Sequence, residues 1–171
     1  YFTTNAYSLK REILNFTNKI SKKLSKPDRK FTADMTYGML ASGSCLLTDV
    51  VDQLHETSRK VNSVERLTRH LNKSTPAKAL NSYLSVIRKW IPDEPVIHID
   101  DSDIVKPDGY KFEALGIVRD GSKSTDKKNI YEKGYHVTEA CVMTQSRHPV
   151  SIFSEIHSSQ EKNFTSINDV T

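Results

Sequence analysis

One short segment constrains this chain more than any other: residues 95–104, which read PVIHIDDSDI. Its β-branched residues predict a β-strand that is buried and central, and prolines before it end whatever precedes it. Three carboxylates, Asp100, Asp101 and Asp103, follow at the predicted end of the strand. Because side chains alternate along a strand, we expect Asp101 and Asp103 on one face and Asp100 on the other. A strand that ends in a carboxylate is a rigid support for one ligand of a hard divalent cation.

Two stretches, one of which contains these carboxylates, resemble a known family. They are residues 99–122 (IDDSDIVKPDGYKFEALGIVRDGS) and residues 131–138 (YEKGYHVT). Both are similar to the start of the catalytic domain of bacterial insertion-sequence transposases of the DDE class. The resemblance covers residues 94–157 and implies a ribonuclease H-like fold for them.

The resemblance implies a metal-dependent reaction at phosphorus. In that family three carboxylates hold two divalent ions, and the first carboxylate follows the last apolar residue of the first strand. That position is Asp100 here, as catalytic residue and metal ligand, or Asp101 if the register is shifted by one residue. The implied cofactor is Mg²⁺ or Mn²⁺, with one ion activating the nucleophile and the other stabilising the leaving oxygen.

The family's other two carboxylates have no counterpart at matching positions. Glu139 and Glu155 lie on predicted hairpin strands, whereas the family takes its second Asp from a later strand and its Glu from a later helix. We therefore expect an N-terminal fragment that cannot cut DNA alone. A sequence that opens on Tyr1 rather than Met favours the same expectation.

The resemblance also implies the partners of the chain. They are double-stranded DNA at transposon ends and, in the synaptic complex, a second copy that would make a homodimer. No small-molecule substrate and no membrane are expected, since no segment approaches the roughly 18 uninterrupted apolar residues that a membrane helix needs. The expected location is the bacterial cytoplasm, in association with the nucleoid.

Charge is unevenly divided along the 171 residues, whose net charge is +4. Residues 1–91 hold 16 lysines and arginines against 7 aspartates and glutamates, whereas residues 92–171 hold 9 against 14. A basic half before an acidic half is typical of a nucleic-acid-binding module joined to a metal-dependent catalytic one. We therefore predict a helical, basic, DNA-binding domain over residues 1–93 and an incomplete catalytic domain over residues 94–171. The alternative is that the Lys-rich helices are simply solvated.

Apolar spacing predicts helices throughout the first half. The predicted helices span residues 8–24 with Ser8 as N-cap, 31–41 with Gly43 after its end, 47–55, 63–72 with Asn62 or Ser63 as N-cap, and 76–91 with Pro76 in the first turn. The third and fourth form a helix-turn-helix pair, and the fourth carries Arg66, Arg69 and Lys73 away from its apolar positions. These three side chains are candidates for DNA contacts, and Lys106 and Arg119 are candidates for phosphate contacts near the acidic strand.

The last third of the chain predicts a β-hairpin. Residues 135–144 and 149–157 are rich in β-branched and aromatic residues, and they flank a turn at residues 145–148. The predicted fold class is therefore α+β: an all-α helical bundle followed by the first, antiparallel three-stranded part of a ribonuclease H-like mixed sheet. Three rival functions stay open: a non-catalytic DNA-binding regulator, another ribonuclease H-like metal nuclease, and a purely structural or interaction module.

Overall fold

The computed structural model describes residues 2–73, 77–162 and 164–166. These residues form five α-helices followed by one antiparallel sheet of four strands, with 41% of the chain in helix and 24% in strand. The α+β class predicted from the sequence is confirmed. The chain divides into two compact units, Tyr1–Arg88 and Lys89–Thr171. Among the described helices, none has the length and apolarity needed to span a membrane.

The helical unit contains five helices: α1 (Phe2–Ile20), α2 (Lys26–Ser42), α3 (Leu47–Leu54), α4 (Lys60–Leu71) and α5 (Ala77–Ile87). Of these, α1, α2 and α4 begin earlier than predicted, and α3 begins at the predicted residue, Leu47. A 3₁₀ turn (Arg88–Trp90) follows, with its first residue in the first unit and the other two in the second. The prediction of Ser8 as an N-cap is wrong, because Ser8 lies inside α1. Ser25 is the N-cap of α2, and its hydroxyl accepts a hydrogen bond from the backbone N of Asp28. The predicted role of Pro76 falls outside the described residues.

The observed ends of α2, α3 and α4 lie within one residue of the predicted ends, whereas the starts of α2 and α4 differ from the predicted starts by several residues. Gly43 ends α2 with φ at 64°, a left-handed conformation that glycine adopts without strain. Helix α4 begins earlier than predicted, with Arg59 rather than Asn62 or Ser63 at its N-cap. Ser63 instead turns inward, where its hydroxyl donates to Glu56 Oε2 over 2.6 Å.

The core of the helical unit lies where α2, α3 and α4 meet. Val50, Val51 and Leu67 are buried there, and the half-buried Phe31, Met35, Leu47 and Val64 pack against them. Gly38 allows the close approach of α2 and α3, since a Cβ at this position would lie 2.5 Å from Val50 Cγ1. Apolar burial of this kind is the main stabilising contribution in a small helical unit.

The second unit is a sheet built around one long strand. The strands are β1 (Ile97–Val105), β2 (Gly116–Arg119), β3 (Tyr131–Met143) and β4 (Pro149–His157). β3 pairs antiparallel with each of the other three. Gly134 pairs with both Val105 and Gly116, and Thr138 pairs with both Asp101 and Glu155, so β2 and β4 share the β3 edge opposite β1. The three predicted strands are present as β1, β3 and β4, and the short β2 is an addition that the sequence did not predict.

The two faces of the sheet differ in burial. We call one the buried face, because its β3 residues Gly134, Thr138, Ala140 and Val142 are buried. We call the other the open face; its β3 residues Tyr135, Val137, Glu139 and Cys141 are half-buried. The register places Asp101 and Asp103 on the buried face, opposite Thr138 and His136, and Asp100 on the open face, opposite Glu139. The predicted alternation of the carboxylates is therefore present.

The predicted burial of β1 is wrong. Seven of its nine residues are exposed, and β3 is its one partner among the described residues, so β1 lies at the edge of the described sheet. The strand also continues past Asp100 to Val105, because the acidic residues keep pairing with β3. The carboxylates therefore lie in mid-strand rather than at its end.

Candidate carboxylate site on the first strand

Asp100 is an exposed carboxylate without a fixed partner. No hydrogen bond or ion pair to its side chain is present in the described part of the chain. Its register partner across the β1–β3 pair is Glu139. Hydroxyl groups of Ser151 and Ser154 donate hydrogen bonds to the Glu139 carboxylate and lower its pKa below the ordinary value. The two side chains therefore share the open face, with the hydroxyl donors of Glu139 on β4, on the other side of β3 from Asp100. Carboxylate oxygens are ligands that hard divalent cations prefer.

Asp101 and Asp103 differ from Asp100 because the buried face supplies each with a donor. The hydroxyl of the buried Thr138 donates to Asp101 Oδ1 over 2.6 Å. His136 Nδ1 lies 2.7 Å from Asp103 Oδ1. Since Asp100 and Asp101 project from opposite faces, one cation cannot use both side chains as neighbouring ligands. The sequence left open whether Asp100 or Asp101 is the metal ligand. In the structure these two candidates lie on opposite faces of the sheet.

A stack of rings lies beside Asp103 on the buried face. The His136 and His157 rings are 5.8 Å apart, and the His157 and Phe164 rings are 6.0 Å apart. His157 is buried, and neither of its ring nitrogens has a hydrogen-bond partner within the described part of the chain. Sequence reasoning missed this grouping, although the predicted hairpin brings these two histidines near each other. A bulge between Ala140 and Cys141 shifts the pairing by one residue, and the turn alone does not reveal that shift.

A cleft of about 630 Å³ adjoins Asp103 and contains one predicted DNA contact, Arg119. Asp120 lines the same cleft, but its carboxylate is engaged in its own turn. It accepts hydrogen bonds from the Ser122 hydroxyl at 2.6 Å and the Ser122 backbone N at 3.0 Å. These bonds, together with Lys123, lower the pKa of Asp120. Arg119 and the exposed Lys106 thus remain as cations near the acidic strand, and Asp120 is held as a structural residue.

The carboxylates fit a cation only in part. Within residues 2–73, 77–162 and 164–166, no three His, Cys, Asp or Glu side chains form a group suited to hold a metal ion. Asp100 with Glu139 offers oxygen ligands of the type that Mg²⁺ and Mn²⁺ prefer. A centre of three carboxylates would need ligands beyond this pair.

The structure places Arg66 inside an ion cluster rather than on a free surface. Its guanidinium lies 2.8 Å from Asp34 Oδ2 and 3.1 Å from Glu56 Oε1. Lys30 Nζ completes the cluster, at 2.7 Å from Asp34 Oδ2 and 2.6 Å from Glu56 Oε1. These contacts connect α2, the turn before α4, and α4 itself. A phosphate contact by Arg66 would have to break them, so the geometry does not favour Arg66 as a DNA ligand.

Arg69 and Lys73 remain available on α4. Arg69 pairs only with Glu65 in the described structure, and both side chains are largely exposed, so exchange of this pair for a phosphate costs little. Lys73 is exposed beyond the end of the helix. His70, on the same side of α4 as Arg66, stacks on Phe31 at 5.1 Å and therefore serves packing. Of the three residues predicted to contact DNA at α4, Arg69 and Lys73 are therefore the two that remain candidates.

Comparisons of this chain with protein-family models, with curated proteins and with solved structures find no match. The fold and the site define an α+β protein with a basic helical unit and a sheet whose first strand presents a carboxylate, Asp100, that has no partner among the described residues.

Proposed function

We propose that this chain is the DNA-binding unit and the opening sheet of a DDE-class DNA transposase. The observation that carries the proposal is Asp100, an exposed carboxylate in the middle of the first strand of an antiparallel sheet, for which the described residues supply no partner. Asp101 and Asp103 on the same strand each have a donor, whereas the Asp100 carboxylate is open to solvent. A carboxylate left open to solvent on a regular strand is free to bind a cation.

The order β1–β3–β4 also supports the proposal. The resemblance implies a ribonuclease H-like sheet that begins with three antiparallel strands, the first of which carries the metal ligand. Such a sheet adds further strands, and β1 has an unpaired edge among the described residues. Ile97 and Ile99 lie on the same face of β1 as Asp101 and Asp103 and are exposed, as expected of apolar side chains that a further element would cover.

The residues act in three groups in the proposed enzyme. Asp100, with Glu139 across the strand pair, would hold a divalent ion, and that ion would polarise the scissile phosphodiester. Arg69 and Lys73 would neutralise phosphates of duplex DNA, and Lys106 and Arg119 would bind phosphates near the acidic strand. The second Asp and the Glu that the resemblance implies would come from outside the described residues, and Glu139 would be an additional ligand.

The experiment is metal-dependent nicking of supercoiled plasmid by the enzyme that carries this chain. Asp100→Asn should lower the nicking rate by about 1,000-fold, since a catalytic ion supplies several kcal/mol of transition-state stabilisation. Asp101→Asn is the matched control on the opposite face and should keep most activity. Full activity in Asp100→Asn would contradict the proposal.

A non-catalytic DNA-binding regulator is the second candidate, favoured by the absence of a three-ligand group among the described residues. In that case DNA binding would depend on Arg69 and Lys73, and Asp100→Asn would change neither binding nor any reaction. Nicking that depends on Asp100 would exclude this candidate.

A further inference from the structure

The segment after β1 is a turn that is folded onto the open face of the sheet. Lys106 N donates to Lys133 O over 2.7 Å, and inside the turn Phe112 N donates to Gly109 O over 3.0 Å. The Phe112 ring meets the Tyr135 ring edge-on at 6.4 Å, and the Tyr135 hydroxyl donates to the carbonyl of Glu113. The turn is therefore held in place by backbone and ring contacts.

Three aromatic rings are exposed at this end of the sheet. Tyr110 is 79% exposed, Tyr131 is 60% exposed and Phe112 is 54% exposed. Packing in a core does not explain them, because more than half of each residue is open to solvent. A turn of defined structure that presents large rings to solvent is typical of a binding surface.

Cations lie among these rings. Lys133 Nζ is 5.5 Å from the centre of the Tyr110 ring. Strand alternation places Tyr131 and Lys133 on one face, and Arg119 joins them as the register partner of Tyr131. We call these residues the aromatic surface: Tyr110, Phe112, Arg119, Tyr131 and Lys133. The adjoining turn adds Lys106 and Lys111 and, with opposite charge, Asp108 and Glu113.

The hollow within the turn is small. It measures about 270 Å³ and is lined by residues 108–112. This is below the roughly 300–1,000 Å³ of a pocket that encloses a small-molecule ligand. The hollow suits one planar group laid against a ring.

We propose that the aromatic surface binds a single-stranded segment of DNA. Bases would stack on Tyr110 and Phe112, and phosphates would pair with Lys133 and Arg119, as in surfaces that bind single strands without sequence preference. The excess of cations over carboxylates favours a polyanion. The core of a protein interface would instead be depleted of charge.

The position of the aromatic surface gives it a role in the proposed reaction. Asp100, Ser102 and Ile104 lie on the open face and lead along β1 to the turn. At about 3.4 Å per residue, Asp100 is roughly 20 Å from Lys106, a few nucleotides of single strand. An unpaired stretch beside the cut phosphodiester would span this distance. The choice of DNA over RNA rests on the proposed function. The stacking of bases on the rings rests only on the exposed aromatic and cationic side chains of the aromatic surface.

The test is fluorescence anisotropy of labelled 12-nucleotide oligothymidylate with the 171-residue chain. Tyr110→Ala should weaken binding by about 5- to 100-fold, the range for loss of one stacked base. Tyr110→Phe keeps the ring and should bind like the unchanged chain. Tyr7→Ala removes a comparably exposed tyrosine from α1 and should have no effect.

Three results would overturn the inference. They are unchanged oligothymidylate affinity in Tyr110→Ala, an equal loss of affinity for a 12-base-pair duplex, and tighter binding of oligouridylate than of oligothymidylate. Loss of self-association in Tyr110→Ala, with oligonucleotide binding unchanged, would identify the surface as a protein contact and also overturn it. Asp100→Asn should bind oligothymidylate normally, so a failed nicking test and a failed stacking test remain distinguishable.

Discussion

The two units of this chain use their charged side chains in opposite ways. In the helical unit, Arg66, Glu56, Asp34 and Lys30 contact one another, and the Arg66 side chain is only 27% exposed. In the sheet unit, Asp100 is exposed and has no partner among the described residues. The first arrangement holds helices together, and the second leaves a charge for a ligand. A basic helix in a sequence is therefore not by itself a DNA-binding face.

The largest expected effect is the loss of the ion cluster. Arg66→Ala should lower the free energy of unfolding of the helical unit by about 2–3 kcal/mol, less than for a fully buried pair because water reaches this one. Urea denaturation followed by the helical circular dichroism signal measures it. Arg69→Ala is the matched control and should cost at most about 1 kcal/mol, the value of an exposed pair. Equal losses in the two variants would remove the distinction between the two arginines.

The pH dependence of the same cluster is the next largest effect. Hydrogen bonds from Lys30 and then from Ser63 lower the pKa of Glu56 from 4.5 to about 2. A lowered pKa in the folded state means that the stabilisation is complete above about pH 4.5 and is lost as the pH falls toward 2. Allowing for partial exposure, the loss should be about 1–2 kcal/mol. In Glu56→Gln this part of the pH dependence should disappear; an unchanged acid profile would contradict the role of Glu56.

Within the sheet unit, Asp103 and Asp100 offer a sharper comparison on a single strand. Asp103→Ala breaks the contact with His136 and should cost about 1 kcal/mol, whereas Asp100→Ala should leave the unit as stable as before. Fluorescence of Trp90, the one tryptophan, reports on this unit, since its carbonyl accepts a hydrogen bond from Gln145 N. A greater loss in Asp100→Ala would mean that its carboxylate has a structural role.

The smallest expected effect concerns duplex DNA. Lys73→Gln should reduce the slope of log affinity against log salt by about 0.9, the value of one phosphate contact. Lys60→Gln is the control, because Lys60 lies at the first residue of α4, the opposite end of the helix from Lys73. Binding titrations of a short duplex at several salt concentrations give both slopes. Identical slopes would exclude Lys73 from the DNA interface.

The periodicity of apolar residues in the sequence predicted the fold class. It did not predict which charged side chains form ion pairs. The strand β4 has the predicted bounds, Pro149–His157, because a turn and β-branched residues define them locally. The sequence did not predict the ion pairs of Arg66, because its partners, Asp34 and Glu56, are distant in sequence and reach it only through packing of α2 and α4. The burial of β1 was misjudged because an apolar run does not reveal whether both edges of a strand are paired.

Some features of the candidate site could also be predicted from the sequence, and others could not. Alternation along β1 predicted that Asp100 and Asp101 would lie on opposite faces, since this depends on strand geometry alone. The contacts of Asp101 with Thr138 and of Asp103 with His136 depend on the register with β3, which the sequence left undefined. The exposure of Tyr110 was equally beyond reach, because it depends on how the turn folds back onto the sheet.

Paramagnetic broadening of backbone amide signals by Mn²⁺ tests the central claim, that the carboxylate of Asp100 binds a divalent cation, most directly. Titration of the isotope-labelled chain should broaden signals around Asp100 and Glu139 first. This broadening should be lost in Asp100→Asn and kept in Asp101→Asn. Broadening that survives in Asp100→Asn, or that centres on Asp120, would contradict the claim.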